Sequence, residues 1–391
     1  MVKEPTGKNS GTALPEMAQL ANLIMKMGPD IDLIARISGQ YKETIRYRYK
    51  EKILGKGFAI HARVNYEGLG LQRVIMKVSL NETYSRYARE MFIAMNKLCY
   101  VISFNQLLPD SSYMVHASVP KEHKQGFIDL MKHLKELGIF DSLEFYTFDW
   151  FTNTPMRAEF FDFEHGNWDF DWTKTVGPGK DDEIRISEPF KFDKLDLLIL
   201  KELQVDASRS LSEIRESIKA NNGQDINYKT LAWHWSRHVK EKGMINGYAL
   251  RWMGTTYDSV SDRAKHRQHK YIMIPVFVRG VSDAERISLI GAMNKLPFLW
   301  CEAGGKDYHA QLAFPVETVN DAFSFLKDAL APFGPRASYS VLDQTNALSF
   351  TFSYTLFDEE TKAWAFSGPE LMSRFENLII KIRESSGLPR N

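Results

Sequence analysis

The chain has 391 residues, 44% of them hydrophobic and 25% charged; this length suits two or three domains, and the composition excludes wholesale disorder, collagen-like repeats and a disulfide-stapled miniprotein. Fifty Lys and Arg stand against 49 Asp and Glu, a net +1, so any affinity for nucleic acid has to come from charge gathered on one surface. No apolar run approaches the ~18 residues of a membrane span, the opening MVKEPTGKNSGTALP is polar, and two cysteines, Cys99 and Cys301, are too few for a disulfide framework. A cytoplasmic protein with no membrane contact and no cofactor is expected.

The first predicted elements are three helices: residues 15–27, residues 30–37 with a Ser38-Gly39 turn, and a third that carries Ile45, Tyr49 and Ile53 on one face and stops at Gly57. With that face inward, about 100° per residue turns Gln40, Glu43, Thr44, Tyr47 and Lys50 outward and places Arg46 and Arg48 on the flanks. Residues 41–57 hold six cations, Lys42, Arg46 and Arg48 among them, against Glu43 and Glu51. Flanking guanidinium and ammonium groups can hold phosphate while the central side chains read base edges. Next comes a strand–helix–strand–strand–helix–strand series at 72–79, 83–98, 100–107, 113–119, 121–137 and 142–148, a split βαβ pattern whose helices cover one sheet face and leave the other free for a partner.

Residues 157–188 are rich in acids and in aromatics, including Phe160, Phe161, Phe163, Trp168, Phe170 and Trp172. A packed linker that buries these rings is expected, in preference to a segment that folds back on a basic helix. A second trihelical head follows, with Asp193 and Ser210 as N-caps and Leu231, Trp235 and Val239 on the inner face of its third helix. Tyr228, Lys229, Thr230, Trp233, His234 and Arg237 are left to face DNA. A second βαββαβ body and an amphipathic helix at 369–385, striped by Leu371, Phe375, Leu378 and Ile382, complete the chain.

The two halves repeat each other. AMNKL occurs at 94–98 and again at 292–296, 198 residues on, and residues 41–57 align without a gap on 227–243, 186 residues on. The expected fold class is α+β: two winged helix-turn-helix domains (15–65 and 191–252) and two ferredoxin-like βαββαβ domains (66–150 and 268–350) in tandem. An acidic aromatic linker spans 151–190, and a C-terminal strand and helix occupy 351–391.

FDKLDLLILKELQVDASRSLSEI, followed by a third helix ending KGMINGYAL, resembles the head of the leucine-responsive regulator/AsnC family of transcription factors. The segment Gly304-Gly305-Lys306-Asp307-Tyr308-His309-Ala310 is similar to the loop and strand of that family's amino-acid-sensing domain. This resemblance covers both repeats. It implies a non-enzymatic regulator that binds double-stranded DNA, forms a homodimer through its bodies, and takes an amino-acid-like effector at Gly304, Gly305 and Asp307. Copy one has LLPDSSY where copy two has the glycines.

The sequence holds no phosphate-binding loop and no Gly-x-Ser-x-Gly elbow. His234 and His238 lie four apart on a helix, a spacing that can hold a metal, but no Glu follows His234 as in His-Glu-x-x-His, and DNA-facing histidines are the expectation. An alternative comes from the segment 263–270, RAKHRQHK, which is similar to siroheme decarboxylases of the same superfamily but lacks their asparagine-rich continuation. That resemblance implies a tetrapyrrole enzyme.

Overall fold

A computed structural model describes residues 16–172, 189–252 and 271–385. The RAKHRQHK segment and the later part of the acidic stretch, 173–188, lie outside the described residues. No described helix is long and apolar enough to cross a membrane.

Head 1 packs α1 (Glu16–Met27) on α2 (Ile31–Ser38) and α3 (Lys42–Tyr47). The Asp30 carboxylate caps α2 by accepting from the Leu33 N–H at 3.0 Å, and Gly39, at φ 68°, ends it in a left-handed turn. The third helix widens into π-type turns over Arg48–Ile53, and Ile45, Tyr49 and Ile53 are buried as their spacing predicts. The chain then forms β1 (Ala59–Val64) and body 1: β2 (Leu71–Leu80), α4 (Ala88–Cys99), β3 (Val101–Leu108), β4 (Tyr113–Pro120), α5 (Lys124–Glu136) and β5 (Phe140–Tyr146), followed by β6 (Trp150–Asn153).

In head 2, reciprocal capping boxes, Asp193 with Asp196 and Ser210 with Glu213, open α6 (Lys194–Val205) and α7 (Leu211–Asn222). The third helix, α8 (Tyr228–Trp233), widens into π-type turns over His234–Lys240 and leads to β7 (Ile245–Arg251). Body 2 runs β8 (Tyr271–Val278), α9 (Asp283–Met293), β9 (Leu299–Gly304), β10 (Tyr308–Pro315), α10 (Val319–Leu330) and β11 (Ala337–Tyr339). The last two elements are β12 (Val341–Ser349) and α11 (Gly368–Ser385).

The sheets bind the halves together. β1 pairs antiparallel with β7, setting Ile60 opposite Leu250. The order in one body sheet is β12-β3-β4-β2-β5 and in the other β11-β8-β10-β9-β6. Each body therefore sends its outgoing strand to the edge of the other. The sheet faces not covered by helices meet inside the chain, where Ile75, Leu107, Met114, Tyr146, Phe148 and Leu342 pack with Phe277 and Ala303. Tyr146 and Phe277 stack at 4.4 Å. These are the faces that suggested a homodimer; here they are covered within one chain, which removes that reason for expecting one.

The stretch assigned to a linker also changes meaning. Residues 158–168 form a short turn and a hairpin pairing Phe161 with Trp168, and residues 354–364 repeat it, pairing Phe357 with Trp364, 196 residues on. Both units thus carry the same hairpin after their bodies, the first of them inside the stretch 151–190. Its aromatics are packed as expected: Phe161 and Trp168 lie against Trp252, with ring centroids 4.9 and 5.0 Å away. The Trp168 indole N–H donates to the Tyr271 hydroxyl, and that of Trp364 donates to the Leu69 carbonyl, both at 2.8 Å.

Candidate functional site

The third helices carry most of the residues expected at DNA on an accessible surface. Lys42, Glu43, Tyr47, Lys50, Tyr228, Lys229, Thr230, Trp233 and Arg237 are exposed, while Gln40, Thr44, Arg46 and Arg48 are half-buried. Four of their cations already have partners: Lys42 pairs with Asp32 at 2.5 Å, Arg46 with Glu43 at 2.5 Å, Arg237 with Glu241 at 2.9 Å, and Arg48 with both Gln40 and Glu16. His234 does not belong in the set. It is buried, with Nδ1 at 2.8 Å from the Asp196 carboxylate, because the polar floor beneath the helix draws the imidazole inward.

The loop expected to hold an effector is a packed junction. Asp307 is buried, and its carboxylate accepts from the Thr147 N–H at 2.8 Å and the Gly280 N–H at 3.1 Å, which leaves it caring for backbone rather than for a ligand's ammonium. A Cβ on Gly304 would come within 2.7 Å of the Trp150 ring, and one on Gly305 within 2.6 Å of the Asp149 amide nitrogen. The two glycines thus let the chain of body 1 cross closely onto body 2 to form β6. They shape the fold at this crossing.

A large cavity lies elsewhere, between the paired strands β1 and β7 and the two bodies. Its volume is about 580 Å³, within the range of small-molecule and cofactor sites. β1 contributes His61 and Arg63, β2 Arg73, α4 Arg89, β4 His116, β7 Arg251, β9 Cys301, β10 Gln311, and the exchanged strands Asn153 and Gln344. Tyr66, Phe151, Trp252 and Trp300 add apolar wall. Among the described residues, four arginines and two histidines face this space and no carboxylate does.

Arg73 is the key group. Its Nε and Nη1 are buried without a hydrogen-bond partner, while its guanidinium lies over the rings of Tyr66 and Phe151 at 4.2 and 4.9 Å. Stacking holds the cation but leaves donors to offer. Nε2 of His116 is likewise buried without a partner. Burial, with His309 and Arg73 nearby, holds the His116 imidazole well below the usual histidine range, so it is neutral at neutral pH. Burial pushes the Cys301 thiol up to about 12, leaving it protonated and a poor nucleophile. The wall is suited to holding anionic groups by charge-assisted hydrogen bonds.

None of the four arginines stands out in the sequence, because three strands and a helix far apart in the chain deliver them. The one local sign is on β1, where buried Ile60, Ala62 and Val64 alternate with the more accessible His61 and Arg63.

No protein-family model matches the sequence, and no curated protein matches it. Among solved structures, siroheme decarboxylase NirDL is 12% identical and superposes with a TM-score of 0.53 over 93% of this chain and 100% of its own. NirDL in complex with an iron-uroporphyrin III analogue is 11% identical, with a TM-score of 0.51 over 92% of this chain and 100% of that one. PH0061 is 13% identical, covers 41% of this chain and 99% of its own, and has a TM-score of 0.30. The likeness to NirDL shows a shared mixed α+β fold along nearly the whole of both chains.

Proposed function

We propose that the central cavity binds a polycarboxylated tetrapyrrole and that the chain is a siroheme-decarboxylase-like protein. The observation that carries this reading is a buried Arg73 with two unpartnered donors, in a cavity that three further arginines and, among the described residues, no carboxylate line. A macrocycle bearing several carboxylates supplies the missing acceptors, and the aromatic wall accommodates its flat face. NirDL, which has the same fold, is a siroheme decarboxylase solved with an iron-uroporphyrin III analogue. Decarboxylation breaks the bond from carbon to carboxylate, releases CO2 and leaves an electron pair that takes up a proton. His116 can deliver that proton: a ligand carboxylate beside it raises its affinity for H+ and offsets the desolvation that otherwise keeps it neutral.

The test is a titration of the full chain with iron-uroporphyrin, followed by absorption, with ligand carboxyl loss read by mass spectrometry. Arg73→Ala is expected to weaken binding about tenfold or more, the value of a lost charge-assisted hydrogen bond of ~1.5–3 kcal/mol. His116→Gln is expected to bind and not turn over. Absence of any spectral change with the unaltered protein would sink the reading.

A DNA-binding regulator of helix-turn-helix type is the second reading. One observation favours it: Tyr47 and Trp233, matched by the 186-residue repeat, are both more than half exposed on the third helices. Genome-wide mapping of bound DNA, compared between the unaltered chain and a Tyr47→Ala/Trp233→Ala double variant, tests it. Sharp peaks that vanish in the variant would support a regulator.

A further inference from the structure

Head 2 contains a second cluster of chemistry-bearing side chains that neither reading above uses. Asp193 and Asp196 stand on the first turn of α6, and His234 and His238 stand four residues apart on the π-type stretch that crosses it. We propose that these four residues form a divalent-metal site, zinc by the chemistry of its donors, that clamps the third helix of head 2 to α6.

The geometry has the right scale. One ligand atom from each residue can be chosen so that all lie within 4.8 Å of one another. His234 Nδ1 is 2.8 Å from Asp196 Oδ1 and 3.7 Å from Asp193 Oδ1, and His238 Nδ1 is 2.9 Å from Asp196 Oδ2. A tetrahedral zinc with bonds of 2.0–2.1 Å to nitrogen and oxygen has ligand-to-ligand edges of about 3.3 Å, so the observed spacings straddle the edge length. Small rotations of the imidazoles would admit the ion.

The charge also fits. Asp196 is fully buried, and among the described residues neither it nor Asp193 pairs with a lysine or arginine. A buried carboxylate that faces histidines and one backbone N–H but no lysine or arginine is costly, and two carboxylates balance the double charge of a zinc ion. The capping box that opens α6 would orient the ligands, because the Asp193 carboxylate is fixed by the Leu195 and Asp196 N–H groups and Asp196 Oδ2 by the Asp193 N–H. The Trp233 ring covers His238 at 4.6 Å and limits water. Head 1 carries Arg48 and Lys52 where the repeat sets His234 and His238, so the site belongs to one head alone.

The full chain, stripped with EDTA and dialysed, should take up one Zn2+ per chain by calorimetry. With Co2+ it should show the visible absorption of a tetrahedral nitrogen–oxygen site, and its melting temperature should rise on loading. His238→Gln keeps a hydrogen-bonding side chain beside Asp196 and should lower zinc affinity about a hundredfold. A wild-type chain that gives neither zinc heat nor the cobalt band overturns the proposal and leaves a hydrogen-bonded His–Asp–His cluster; this outcome needs no variant to fold. The cavity titration is independent, so either result can fail alone.

Discussion

The two heads share a scaffold and differ in what ties the third helix to the first. In head 1 the tie is at the surface: Arg48 reaches Glu16, whose side chain is 65% exposed, and Gln40 at 2.7 Å. In head 2 the matching position is His234, and the tie is the interior carboxylate of Asp196, which also holds His238. Water screens the first contact and is excluded from the second, and the same attraction counts for more where the effective dielectric is low. The third helix of head 2 should therefore be the more rigid of the two.

The largest expected effect is that of Asp196→Ala, which strands two histidines over an apolar floor. A cost of about 3 kcal/mol is expected, the scale for removing one member of a buried ionic set. Amide exchange should accelerate in α6 and residues 228–240 while head 1 is unchanged; uniform acceleration through both heads would erase the distinction.

Next comes the bridge between heads, where Lys240 pairs with Asp30 at 3.1 Å. Burial pushes the Asp30 carboxyl up, but the Leu33 N–H and the Lys240 ammonium outweigh it and hold the group below the usual carboxylate range. A lowered carboxyl contributes stability above its unfolded value, about 3.9, and loses it as pH falls through the folded value. Asp30→Ala should cost about 1 kcal/mol at neutral pH, mostly through the cap. Asp30→Asn, which can still cap, should cost only about 0.5 kcal/mol. In denaturation series, the gap between Asn variant and parent should close below about pH 4, and a gap that persists in stronger acid would separate the bridge from the charge.

Arg48→Ala should have the smallest effect, under about 1 kcal/mol, as for other exposed pairs. Thermal melts in low and high salt check it. A loss as large as that of Asp196→Ala would mean that the two ties are equivalent after all.

Periodicity reveals the parts of this molecule that are local. Ile45, Tyr49 and Ile53 point inward because four-residue spacing holds well enough through their widened turns, and Asp193 and Ser210 cap where their side chains can reach the next N–H groups. The same rule misplaces His234, since nothing in the third helix itself announces an Asp196 beneath it, 38 residues earlier. Asp307 reads as a ligand because its loop is glycine-rich, yet the glycines answer to Asp149 and Trp150 in the other half. The repeat at Phe161–Trp168 and Phe357–Trp364 was visible in the spacing of Phe-Asp and Trp, but the acidic composition around it masks the match. The cavity was beyond reach, for Arg63, Arg73, Arg89 and Arg251 converge only when both bodies and the paired strands β1 and β7 have assembled.

The exchanged strands bear on how the chain is made. During synthesis, body 1 emerges with β3 as an open edge, and the strand that closes it, β12, begins only at Val341. An unpaired edge is a template for wrong partners, so a ribosome-bound first half is an unfinished product that must be kept from its neighbours until the second half arrives. Separately expressed halves should accordingly be poorly behaved alone and should rescue each other when made together.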